Sequence, residues 1–114
     1  MNESIEQLDG ALRIAVVNFL TPLQTTRIIK HDAFEILISA AKELARALKG
    51  HEFVSKSLLN ELYRSVGILR SEAPYFKDET AVLEKMANQL DLTIALILMN
   101  ESPEDRIPGV PRII

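Results

Sequence analysis

The stretch from residue 33 to residue 48, AFEILISAAKELARAL, constrains the fold more than any other part of the chain. At about 100° per residue on a helical wheel, Glu35, Ser39, Lys42, Glu43 and Arg46 fall within one narrow arc. Ala33, Phe34, Ile36, Leu37, Ile38, Ala40, Ala41, Leu44, Ala45, Ala47 and Leu48 fill the rest, roughly two-thirds of the circumference. An ordinary surface helix buries a narrower stripe, so this one is expected to be covered by neighbours on at least two sides. It reads as the spine of a helical domain.

Helical spacing recurs on either side of it. Over residues 3–20, Ile5, Leu8, Leu12, Ala15, Val16 and Phe19 make one stripe, while Ile14 and Val17 lie on the far side near Gln7 and Gly10. Asn2 or Ser4 is the expected cap. Thr21-Pro22-Leu23-Gln24 reads as a fresh helix start, with Pro at the first helical position. The segment up to Lys30 is expected to form a short helical turn or an irregular connector, one long bent helix from Pro22 to Lys49 being the alternative. Asp32 and Glu35 offer a capping pair for the spine, and Gly50 suits its left-handed end.

A further helix is expected from about Ser55 to Ala73, burying Leu58, Leu62, Val66, Leu69 and Ala73, with Leu59 at the edge and Pro74 as its stop. Another opens at Lys77 or Asp78 and buries Leu83, Met86, Ala87, Leu90, Ile94 and Ile97. In its last two turns the opposite face turns apolar as well, through Leu92, Ala95, Leu96 and Met99, before a stop near Asn100. The remainder, ESPEDRIPGVPRII, carries three prolines and a glycine that exclude regular helix, and Pro108-Gly109 suits a type II turn. The expected fold is all-α: a four-helix bundle-like domain over residues 1–100 with an irregular, proline-containing C-terminal tail over residues 101–114.

Composition narrows the function classes. A length of 114 residues is one domain's worth, and 47% apolar with 25% charged residues is the balance of a globular protein. The net charge of −3 is spread along the chain, so nothing draws it to nucleic-acid phosphates or an anionic membrane. With no cysteine, disulfides, thiolate nucleophiles and sulfur-bound metals are excluded. MNESIEQLDG is acidic rather than a basic, apolar export signal, and the longest apolar run, residues 92–99, is too short to span a bilayer. A cytoplasmic protein is expected, with no membrane partner and no specific nucleic acid.

Catalytic and metal chemistry finds little support in the pattern. His31 and His51 are far apart, belong to no metal-ligand motif, and read as exposed residues at helix ends. Asp91, beside the apolar end of the fourth helix, is the nearest general acid–base candidate, but it sits at the stripe's border. No nucleophile elbow or phosphate loop is present. LLNELYRSVGILRSEAPY has the outline of a helix-turn-helix, yet Tyr63 precedes Gly67 where a small residue is needed, and Pro74 falls inside the second helix. Accordingly no catalytic residue, cofactor or metal ligand is assigned.

What remains is apolar surplus off the core stripes: Leu92, Leu96 and Met99; Ile14 and Val17; Ile68; and the tail's Ile107, Val110, Ile113 and Ile114. These are the candidate protein-binding residues, with the side of Leu92, Leu96 and Met99 expected to be buried against a second copy. The reading is a small non-enzymatic helical protein acting through protein–protein contacts as an adaptor, inhibitor or immunity-type protein. Two alternatives stand beside it: a structural homo-oligomer, and an enzyme or small-ligand binder with a pocket between helices.

Overall fold

A computed structural model describes residues 4–106. Its four α-helices are α1 (Ile5–Thr26), α2 (His31–Leu48), α3 (Lys56–Glu72) and α4 (Thr80–Leu98). Short 3-10 turns follow at Ala73–Tyr75, Lys77–Glu79 and Pro103–Asp105. α1 packs on α2 and α3 on α4, and the two hairpins meet through α2 on α4 and α1 on α3. The fold is an all-α bundle, with α2 covered on two sides as its wide apolar arc requires.

The stripes form one core. Leu12, Ala15, Val16 and Phe19 of α1 meet Phe34, Leu37, Leu44 and Leu48 of α2, with Leu58, Leu62, Val66 and Leu69 of α3 and Leu83, Met86, Ala87, Leu90, Ile94 and Ile97 of α4. Phe19 and Phe34 pack as a tilted pair with ring centroids 5.2 Å apart, which joins the first hairpin. Each aliphatic side chain fully buried in this way contributes about 1.5–3 kcal/mol of transfer free energy.

α1 departs from its expected end. Ser4 caps it, accepting from the Gln7 N–H at 3.1 Å while Gln7 reaches back to the Ser4 N–H, a reciprocal capping box. The helix then runs through Pro22 to Thr26 rather than restarting at Thr21, so neither a second start nor a long helix from Pro22 forms. Proline inside a helix loses a hydrogen bond and crowds the preceding turn. Here Leu20 and Leu23, at 3% and 0% exposure, are both buried in the core, and that burial carries the helix one more turn. Thr25 and Thr26 hydroxyls donate to the Thr21 and Pro22 carbonyls at 2.7 and 2.9 Å, satisfying acceptors at the helix end.

Arg27, in the left-handed region at φ 57°, breaks α1. Its guanidinium is ion-paired to Glu72 and lies 5.6 Å from the Tyr75 ring centroid, which ties this end of α1 to the turn after α3. α2 begins at His31 with Lys30 as its N-cap and no side-chain cap bond, so Asp32 stands in the first turn rather than capping it. Gly50 takes the left-handed conformation foreseen for it, with φ 90°, and its N–H donates to Asn100 Oδ1 at 2.6 Å. That bond joins the C-terminal ends of α2 and α4. Ser55 caps α3 by accepting from the Leu58 N–H, and Pro74 ends regular helix beyond Glu72.

α4 ends at Leu98, and Asn100, at φ 59°, turns the chain back. The Glu101 N–H then donates to the Leu96 carbonyl at 2.8 Å. In the following 3-10 turn, Glu104 binds Arg46 with contacts of 2.8–3.0 Å and Asp105 binds Lys49 at 2.7 Å. The described start of the tail is thus clasped to the end of α2. Ile107, Val110, Ile113, Ile114 and the Pro108-Gly109 turn lie outside the described residues.

Candidate interaction surface

α1 presents an outer face of unusual composition. Gln7, Gly10, Ala11, Ile14, Val17, Asn18, Thr21, Gln24 and Thr25 are all exposed, and among the exposed residues of this helix only Glu6, in the first turn, carries a charge. The half-buried Asp9 and Arg13 pair with each other at 2.9 Å, and Arg13 extends to Ser57 of α3. The exposed positions of α2 and α3, by contrast, include Asp32, Glu35, Lys42, Glu43 and Arg46, and Lys56, Arg64 and Arg70.

Ile14 and Val17 stand at the middle of this face with 65% and 56% of their surface exposed. Beside them Ile36 of α2 is 64% exposed. Ile36 belongs to the wide apolar arc of the spine and was expected inside; α1 does not reach far enough round α2 to cover it. Between the two helices runs a groove of about 410 Å3, lined by Ala15 and Asn18 of α1, Ala33 and Ile36 of α2, and Lys30, His31 and Asp32 at the start of α2. A neighbouring depression along the same seam is lined by Val17, Thr21 and Pro22. Ile36 and Val17 thus line two depressions along one seam, and Ile14 stands on the outer face of α1 one turn before Asn18, which lines both.

The other candidates are distributed differently. Leu92 and Met99 are exposed on α4, but Leu96 is only 3% exposed and buried within the chain's own fold. After Asn100 the chain returns, bringing the Glu101 N–H back to the Leu96 carbonyl, and Ser102 is buried as well. The expected continuous face of Leu92, Leu96 and Met99 is therefore broken at its centre. Ile68 is half-buried against the core, on α3. Leu98, next to Met99, and Phe53, in the loop after α2, are exposed and were not singled out in the sequence. The local signal available for the α1 face was the absence of any charged residue over residues 14–26.

Side chains suited to chemistry are engaged elsewhere. The buried Ser65 and Thr93 hydroxyls donate to the carbonyls of Glu61 and Gln89 within their own helices. Asp91 is ion-paired to Arg70 at 3.3 Å at the surface, not held in an apolar pocket. Gly67 lies inside the continuous helix α3, so no helix-turn-helix forms there, and an added Cβ would meet nothing within 4 Å. Among the described residues no group of His, Asp and Glu has the arrangement of a metal site, and no helix is long and apolar enough to cross a membrane.

Electrostatic perturbation is concentrated at the clasp. The hydrogen bond from Lys49, helped by the Ser102 N–H, lowers the Asp105 carboxyl to about 2. The hydrogen bond from Arg46 lowers that of Glu104, and reciprocally raises the Arg46 guanidinium. The ion pairs behind these shifts tie the Pro103–Asp105 turn to the end of α2.

By class the protein is an all-α bundle of four helices, and the outer face of its α1 is nearly uncharged and partly apolar. No protein-family model, curated protein or solved structure gives a significant match to the chain.

Proposed function

We propose that this chain is a small non-enzymatic helical protein that works through protein–protein contacts, and that the α1–α2 face is its contact surface. One observation carries the reading: Ile14 and Val17 stand exposed on the nearly uncharged outer face of α1, and exposed Ile36 lines an open groove along the seam between α1 and α2. Depletion of charge around exposed apolar groups is the compositional mark of an interface core, whereas a solvated helix face carries Lys and Glu. Singly exposed aliphatics are ordinary; a contiguous group is not. The mixed charge and absence of cysteine agree with a cytoplasmic setting.

Affinity capture from the source cells, with the wild-type chain and Ile36→Glu as baits, tests the proposal. Ile36 is exposed, so the substitution leaves the bundle intact, which far-UV circular dichroism checks. The expected result is a saturable partner, another protein or a second copy of the chain, held by the wild type and lost from the variant. Identical capture by both baits overturns the assignment of the face.

A further inference from the structure

Resting on the reading just given, we infer that the occupant of the α1–α2 face is a second copy of this chain, bound about a two-fold axis that crosses α1 between Ile14 and Val17. The exposed seam of α1 has the spacing of a heptad repeat: Gln7, Gly10, Ile14, Val17, Thr21 and Gln24 follow one another at alternating steps of three and four. The same seam is symmetric about its own centre. Inverted end to end it sets Gln7 opposite Gln24, Gly10 opposite Thr21 and Ile14 opposite Val17, each pair at one level along the axis.

An isologous interface demands this of a surface, because each patch meets its own copy in reverse. Amide then meets amide, a small residue meets a small residue, and aliphatic meets aliphatic. Gly10 has no atom within 4 Å of the position its Cβ would occupy, so its place on the seam is open to an approaching helix.

Charge favours the same occupant. Each copy carries a net −3, and a two-fold axis brings identical surfaces together, so most faces of this molecule would set like charges opposite each other. The outer face of α1, whose one exposed charge is Glu6 in the first turn, avoids this from Gln7 to Gln24. A strongly charged partner, by contrast, would find no complementary groups along the α1 seam itself. The groove runs beside this seam, lined near the level of the axis by Ala15, Asn18 and Ile36 and at the start of α2 by Lys30, His31 and Asp32.

Size is adequate too. From a rise of 1.5 Å per residue and a helix spacing near 10 Å, the two-helix face measures about 33 by about 20 Å, which approaches the roughly 800 Å2 per partner of a standard stable interface.

The experiment is sedimentation equilibrium of the full chain and its variants across micromolar to submillimolar concentrations, with circular dichroism as the check on folding. The wild type is expected at twice 12.8 kDa. Ile14→Glu and Val17→Glu each place an unpaired charge on the axis and should raise the dimer dissociation constant by about 100-fold or more. The double variant Ile14→Glu with Val17→Lys sets opposite charges face to face twice in the proposed register, and should restore the dimer. A variant that loses helicity is replaced by Thr21→Arg, at an exposed polar position of the same seam, for which the same weakening is expected.

A wild type that stays monomeric throughout overturns the two-fold, while the broader protein-contact reading still stands or falls on whether Ile36→Glu loses its captured partner. A dimer indifferent to all these single substitutions also overturns it. A double variant no tighter than its singles overturns the register.

Discussion

Leu44 and Glu43 are neighbours in sequence and opposites in environment. Leu44 is fully buried in the core, while Glu43 is exposed and paired with Arg46 one turn on. Leu44→Ala should cost about 2–5 kcal/mol through lost transfer energy and the cavity left behind. Glu43→Ala should change stability by less than about 0.5 kcal/mol, since exposed ion pairs contribute little. Urea titrations of the two variants check this, and similar midpoints would contradict the place of α2 in the core. The glycines make a second residue-level test. Gly67 is helical and open on its Cβ side, so Gly67→Ala should stabilise by about 0.5–1 kcal/mol. Gly50 has φ 90°, where an L side chain is strained, so Gly50→Ala should destabilise by about 1–2 kcal/mol. Thermal melts showing the same sign for both would refute the backbone argument.

At the scale of elements, the turn Pro103–Asp105 fastens the chain after α4 to the end of α2 through Glu104 on Arg46 and Asp105 on Lys49. Asp105 is lowered to about 2 by Lys49, from an ordinary aspartate value of about 3.9. A carboxyl depressed in the folded state adds stability that is present above its unfolded value and lost as pH falls through the folded one. The clasp's contribution should therefore be whole above about pH 4 and disappear toward about pH 2. Asp105→Asn should flatten the fall of the denaturation midpoint across that window, and parallel pH profiles for wild type and variant would show that the clasp does not contribute. Pro22 teaches the complementary lesson about elements. The fresh start expected at Thr21-Pro22 gave way to a continuous helix because Leu23, just beyond it, is completely buried.

For the whole molecule, the arrangement of helices decides which apolar groups face water. α2 lies between α1 and α4, and α1 touches α3, so each hairpin covers one side of the other. The acidic net charge and the continuity of α3 through Gly67 leave no basic recognition helix. Duplex DNA at physiological salt should accordingly bind weakly and without sequence preference, and a sub-micromolar, sequence-selective mobility shift would contradict this.

The sequence by itself determined the helices and nearly all of their buried stripes, because a 3.6-residue period is local and survives whatever lies around it. Leu83, Met86, Ala87, Leu90, Ile94 and Ile97 are buried as their spacing required, and Gly50 adopts the positive φ expected of it. The fate of residues at the borders of the stripes was decided only in three dimensions. A helical wheel assigns an angle to Ile36 and to Leu96 but not the neighbour found at that angle. In the folded chain Ile36 is left open while Leu96 is buried, so the face of Leu92, Leu96 and Met99 is interrupted at its centre and Ile36 joins the exposed aliphatics of the first hairpin.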